Sequence, residues 1–295
     1  MKRIFKNLML IGFAATLCVA CDKEEDDVNG IIAKGTFSVA QGKKVYISQG
    51  NLQYQASTNT WRFADNQYDI IGEDNVNVSS TYEGWIDLFG YGTSGWNSGV
   101  VAYHPYSVNY QWNDYCINDL TGDYANADWG VYNKISNGGN KAGLWRTLTF
   151  SEWHYLLFTR PHSAHLYSKG RVDGIQGLIL LPDDWQIPNG IEFLPMENNW
   201  TTNDYTVAEW QKMQSNGAIF LPNTGTNLNS SRGDNLLTYL ENGGYYWTSS
   251  LGYYFYIGED IVFNHFIVQL DDGSNYVSPY HILNYFSVRL VQDVK

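Results

Sequence analysis

Short alternating runs separated by turn residues constrain this chain more than any other feature. Thr36-Phe37-Ser38-Val39, Lys44-Val45-Tyr46-Ile47, Asn51-Leu52-Gln53-Tyr54 and Trp61-Arg62-Phe63 follow one another with Gly, Asn and Ser between them. Period-two alternation broken by turn formers is the pattern of hairpins. Four later runs read as strands joined by loops: Ala218–Leu221, Tyr245–Ser250, His265–Leu270 and Phe286–Val291. Between the two sets lie two helices of about ten residues each. Thr149-Phe150-Ser151-Glu152 is a capping box, after which Phe150, Trp153, Leu156 and Leu157 share one face until Pro161 ends the run. Thr206-Val207-Ala208-Glu209 is a second, with Val207, Trp210 and Met213 on one face and Asn216-Gly217 as the stop. The tryptophan on each apolar stripe is expected to anchor the core. Strands, two helices and more strands without βαβ alternation predict an α+β fold with antiparallel sheets, two short helices and long loops.

At 295 residues and 44% hydrophobic the chain can build its core without disulfides or a structural metal. The 28 Gly and the excess of aromatic residues (23 Tyr, 13 Phe, 11 Trp) agree with strands and loops rather than a helical bundle. A loop-rich middle, residues 72–143, carries Trp85, Trp96, Trp112 and Trp129 among Gly, Asn and Asp. Loops of that length in a compact domain are functional or packed on their own side chains. A formal charge of −12 argues against a phosphate-neutralising surface, so nucleic acid is not an expected partner.

The N-terminus reads as an address. Lys2, Arg3 and Lys6 precede an apolar stretch, Leu8–Ala20, that is shorter than the roughly 20 residues a membrane span needs. It ends Leu17-Cys18-Val19-Ala20-Cys21, which resembles a bacterial lipobox, with Cys18 where that motif usually has Leu. The resemblance implies a signal peptide over 1–20, acylation of Cys21 and attachment to the membrane through its lipid. Asp22-Lys23-Glu24-Glu25-Asp26-Asp27 opens an acidic tether over 21–35. That cluster resembles the lipoprotein export signal of Bacteroidetes-type bacteria, which implies an outer-membrane protein facing the cell exterior. Loss of residues 1–20 removes three basic and no acidic residues and takes the charge to −15. Such a chain gains nothing from anionic headgroups, so attachment falls to the acyl chains. Cys116 then stands alone, and no disulfide framework exists.

Residues 36–295 are read as one domain. Leu144-Trp145-Arg146-Thr147-Leu148-Thr149 leading into a Ser-Glu-Trp helix, then Tyr246-Trp247-Thr248-Ser249-Ser250, then Ser287-Val288-Arg289-Leu290-Val291 resemble the C-type lectin-like fold. More narrowly they are similar to the formylglycine-generating-enzyme branch and to the Fibrobacter succinogenes major paralogous domain of bacterial surface lipoproteins, over roughly residues 36–292. These are fold markers and leave the chemistry open. The enzymes of that branch use active-site cysteines, and Cys116 alone, far upstream, does not supply them. The calcium-binding tripeptides of C-type lectins are missing, and Trp112-Asn113-Asp114 lies before both helices, where that family does not place it.

Other constellations are equally bare. His162-Ser163-Ala164-His165 with His154 lacks a third ligand at zinc spacing and reads as loop histidines. Asp183-Asp184 and Asp271-Asp272, taken as strand neighbours, point to opposite faces and cannot work as a glycosidase pair. Asp271-Asp272 also reads as a turn, with calcium held by clustered oxygens as its alternative. No nucleophile elbow and no phosphate loop occurs. Neither catalysis nor a cofactor or metal is expected.

The informative stretch is C-terminal. Residues 245–285 hold eight of the 23 Tyr in 41 positions, about two and a half times the average density. Tyrosine combines a rigid aromatic body with a polar tip, which suits it to binding loops. The Asn, Tyr, Ser, Asp and His mix over 253–285 is that expected where adenines of Asn codons vary, as in variable proteins of diversity-generating retroelements, many of which end a C-type lectin-like fold this way. A Tyr-rich sheet surface in a Tyr-rich chain accounts for the same residues. The expected partner is an external protein or glycan, met by loops within 251–285: Tyr253, Tyr254, Tyr256, Asn264, Asn275, Tyr276, Tyr280, His281 and Tyr285. Trp247, Arg289 and the helix tryptophans are expected to hold the frame. Two other functions stay open, a structural or tip subunit of a surface assembly and, more remotely, an enzyme acting on polysaccharide.

Overall fold

The computed structural model describes residues 35–99, 102–107, 118–229, 237–241, 243–257, 260–270, 275–281 and 284–295. For 228–229, 237, 253–257, 260–267, 269 and 275–281 the description is of the backbone. The expected signal peptide with Cys21 and the expected tether up to residue 34, the Trp112-Asn113-Asp114 run, Cys116 and Asp271-Asp272 lie outside the described residues.

The described residues form five small sheets. In the first, β1 (Phe37–Ala40) and β2 (Lys43–Ile47) form the N-terminal hairpin, and the closing strand β16 (Leu290–Asp293) inserts between β2 and β5 (Arg146–Thr147). The second is the hairpin of β3 (Leu52–Gln55) and β4 (Thr60–Phe63). The third runs β8 (Asp204–Tyr205), β6 (Tyr167–Val172), β7 (Ile175–Leu180), β9 (Ile219–Pro222). The fourth runs β11 (Leu237–Leu240), β10 (Thr226–Asn229), β15 (Asn284–Tyr285). The fifth is a ladder of long strands, β12 (Gly244–Ile257), β13 (Asp260–Leu270) and β14 (Asn275–His281). Every pairing is antiparallel except β6 with β8. The α+β class with antiparallel sheets and few short helices is therefore correct.

Three apolar clusters fill the interior, and alternating strands wall them apart. On β7 and β9, Leu178, Leu180, Ile219 and Leu221 enter one cluster while Ile179 and Phe220 enter another. At the start of β12, Tyr246 joins that first cluster and Trp247 a third, with Trp61, Phe89, Trp129 and Trp145. Successive side chains of a strand point to opposite faces, so one strand buried on both sides cements two cores.

The two capped helices form where the sequence places them. In α2 (Phe150–His154) and α3 (Val207–Ser215) both reciprocal capping bonds of Thr149 with Glu152 and of Thr206 with Glu209 are made. Trp153 and Trp210 are buried, as expected. Past His154 the first helix widens into a π-turn over Tyr155–Thr159, where Arg160 N donates to Tyr155 O at 2.8 Å. Pro161 cannot continue the ladder, and the buried Arg160 guanidinium is directed to Asp183 Oδ1 at 3.1 Å and Leu166 O at 3.3 Å. In the loop-rich middle a one-turn helix, α1 (Trp129–Tyr132), is capped by Asp128 and puts Trp129 in the core.

The structure adds a hairpin to the strands read from alternation and corrects one expectation. The added hairpin is β6–β7, whose turn, Asp173-Gly174, has positive φ at both residues (51° and 81°), the type I′ geometry that Asp-Gly favours. Asp183-Asp184 sits in a turn after β7 rather than on a strand. Asp183 is committed to Ser38 (Oγ at 2.6 Å), Lys44 and Arg160, so it is a structural ligand of cations and still no catalytic partner of Asp184.

Candidate ligand-binding surface

The segment expected to form binding loops is a sheet. Tyr253, Tyr254, Tyr256, Asn264, Asn275, Tyr276, Tyr280 and His281 all fall on strands of the β12–β13–β14 ladder. Register divides them. Tyr256 stands opposite Ile261, Tyr254 opposite Phe263, Tyr280 opposite His265 and Tyr276 opposite Gln269. Those four partners are alternate positions of β13, so the four tyrosines share one face of the ladder. Asn264 pairs with His281 and Asn275 with Leu270, positions of the opposite parity; at the base of the ladder both faces are buried, by Tyr245 and Trp247 on the tyrosine parity and by Val268 and Leu270 on the other. Tyr253 lies where the register slips between Leu251 and Tyr254.

Tyr285 is a correction. It is fully buried on β15, and its hydroxyl donates to Ser107 O at 2.9 Å. A ring closed in the core does not meet an external ligand, so this tyrosine belongs to the frame.

The base of the ladder is fixed by aromatic packing and buried hydrogen bonds. The Tyr245 ring stacks on Phe286 at 5.0 Å, and Trp247 lies 4.6 Å from Phe286 and 5.3 Å from Tyr91. Trp247 Nε1 donates to Phe89 O at 2.7 Å. Ser287 bridges to Tyr246, and Trp247 N donates to Ser287 O at 3.0 Å, so the Trp-Thr-Ser-Ser and Ser-Val-Arg-Leu-Val runs are spatial neighbours. Between Trp247 and Leu251, where β12 slips against β13, the strand bonds elsewhere: Ser249 N to Leu148 O at 2.9 Å, and Leu251 N to Asp119 Oδ1 at 2.6 Å. The slip is a bulge with a cause, since those donors have partners outside the ladder.

Beneath it runs a polar network that sequence reasoning saw only through Arg289. The buried guanidinium donates to Asn51 Oδ1 at 3.0 Å and to Gln67 Oε1 at 2.9 Å, and it has no carboxylate partner among the described residues. Burial pushes it down to about 10. Tyr246 Oη donates to Pro222 O at 2.8 Å and accepts from Asn51 Nδ2 at 3.2 Å, and burial raises its pKa. Asp87, buried, accepts from Asn75 Nδ2 at 2.8 Å and Ile71 N at 3.2 Å; burial pushes it up to about 6 against those bonds. No sequence signal distinguishes Asn51 or Gln67 from turn residues, because their partners Tyr246 and Arg289 lie far along the chain, and Asp87 is bonded within an irregular loop that carries no period.

The histidines fall in separate settings. His162 has left-handed backbone (φ 60°), His165 ends a short 3-10 turn, and His154 packs between Phe150 and Phe158. Among the described residues no group of three or more His, Cys, Asp or Glu could hold a metal ion. Among them, too, no helix is long and apolar enough to cross a membrane. No protein-family model, no curated protein and no solved structure matches this chain.

Proposed function

We propose that this chain is a lipid-anchored protein of the bacterial outer surface, whose C-type lectin-like domain binds an external protein or glycan through the tyrosine face of the β12–β13–β14 ladder. The observation that carries the reading is the shared register parity of Tyr254, Tyr256, Tyr276 and Tyr280 on a ladder whose base is locked by Trp247, Tyr245 and Phe286. Four rigid amphipathic rings on one face of a fixed sheet offer contact area at low entropic cost. The lectin-like assignment is supported by the adjacency of its two marker runs at Tyr246 and Ser287. The anchor is assigned to Cys21 and the outward address to the acidic run behind it.

The reading is tested by screening the protein on arrays of host glycans and extracellular-matrix proteins and repeating the hits with Tyr254, Tyr256, Tyr276 and Tyr280 all changed to Ala. Loss of at least about tenfold in affinity with an unchanged melting temperature is expected, as for central aromatic contacts. A variant that binds like its parent would place the site elsewhere. For the anchor, Cys21→Ala should move the protein from the membrane fraction to the soluble one, and protease shaving of intact cells should release the domain of the parent.

A further inference from the structure

A second site lies away from the tyrosine face. A cavity of about 310 Å³ opens where β7 and β9 begin and end and where the chain enters β12, lined by Ile70, Gly174, Gln176, Asn223, Glu241 and Gly243, with Ile175 beside them. That volume is at the small end of ligand sites. Its walls are tied together: Asn223 N donates to Gln176 O at 2.8 Å, and Gly225 N donates to Gly243 O at 3.0 Å. Tyr254 pairs with Phe263 and Gly244 with Leu270, so at about 3.3 Å per residue along β13 Tyr254 and Tyr256 lie more than about 20 Å from the cavity, while Tyr276, opposite Gln269, lies nearer.

The lining chemistry is one-sided. Among the described residues it offers a carboxylate (Glu241), two side-chain amides and two isoleucines, and no Lys, Arg, His or aromatic ring. Asn223 Oδ1 is buried and has no hydrogen-bond partner. Acidic residues adjoin the lining, with Asp69 and Asp173 flanking Ile70 and Gly174 in the chain. Their charges act on Tyr68, and those of Glu241 and Glu73 act on Tyr239. The nearest cation in register is Arg171, opposite Gln176, and it is paired with Asp204. Such a cavity repels anions and gives a planar sugar face nothing to stack on.

We infer that this cavity receives an alkylammonium group, with the ammonium on Glu241 and the Gln176 amide oxygen, and the alkyl carbons against Ile70 and Ile175. The group could arrive on a free diamine or on a lysine side chain of another protein, and the same chemistry recognises both. The inference does not rest on the tyrosine-face reading.

Isothermal titration of the purified full chain with 1,5-diaminopentane, pentylamine, Nα-acetyl-lysine amide and, as a neutral isostere, pentanol tests it. The amines should bind at millimolar concentration or below and pentanol should not. Added salt should weaken the amines, and Glu241→Gln, at an exposed position that leaves folding intact, should cost at least about tenfold. Tighter binding of the diamine points to a free polyamine, and equal binding of the lysine amide points to a protein. Changing Tyr254 and Tyr256 to Ala should leave all of this unaltered, so failure here and failure of the tyrosine face are distinguishable. Absence of amine binding, equal binding of pentanol, or amine binding indifferent to Glu241→Gln would overturn the assignment.

Discussion

Two buried carboxylates set the chemistry of single residues in this fold. Asp87 and Asp128 are both closed to solvent, and burial pushes each up to about 6 although backbone and side-chain donors pull the other way. A carboxyl whose folded pKa is raised stabilises the fold most fully below its unfolded value, near 3.8, and that contribution is lost as pH rises through about 6. Asp87→Asn should therefore remove about half of the decline in stability between pH 4 and 7, measured by urea unfolding across that range, while Asp128 keeps the other half. An unchanged slope would mean that Asp87 does not carry the proton. Neither residue announces itself in the sequence: Asp128 sits before an ordinary-looking Trp-Gly pair, and its second partner, Thr147 N at 2.8 Å, is a contact between distant segments.

At the scale of elements, two capping boxes of the same form differ in what surrounds them. Glu152, beside β5, also accepts from Arg146 at 2.7 and 2.9 Å and from Lys43 at 2.7 Å, and Arg146 reaches on to Asp293 at 2.7 Å. Glu209 bonds only within its own cap region. Thr149→Ala and Thr206→Ala should each cost about 1 kcal/mol, the ordinary worth of an N-cap. Glu152→Ala should cost clearly more than Glu209→Ala, because it removes the more buried of the two carboxylates, Glu152 and Asp293, that Arg146 and Lys43 share; urea midpoints of the four variants would decide it. Local signals made both helices readable, since caps and apolar stripes are written in adjacent residues. The ladder of β12 to β14 was readable only in part: His265–Leu270 alternates, but the tyrosines and asparagines around it suit strands and binding loops alike. Register, which separates Tyr254, Tyr256, Tyr276 and Tyr280 from Asn264, Asn275 and His281, is set by pairing across the sheet and by the slip near Leu251.

For the whole molecule, the carboxylates with displaced pKa values among the described residues divide into two groups with opposite pH dependence. Asp87 and Asp128 favour acid, while Glu152, Asp183 and Asp293 are held below their ordinary values by hydrogen bonds from Arg146, Lys43, Ser38 and Lys44 that outweigh burial where it opposes them. The second group contributes stability above its unfolded pKa and loses it as pH falls through the lowered values. Stability from urea unfolding should consequently peak near pH 4, fall by on the order of 4 kcal/mol toward pH 7.5, and fall again below the peak as the second group is protonated. A midpoint that rises steadily to pH 8 would contradict the assignment of the buried pair. The placement of the closing strand has a further consequence, for the timing of folding. Val291 pairs with Ile47 and with Arg146, so β16 completes a sheet whose other strands come from much earlier in the chain. That sheet cannot close before residues 290–293 are free to insert between β2 and β5, which makes its closure a late, long-range step of folding.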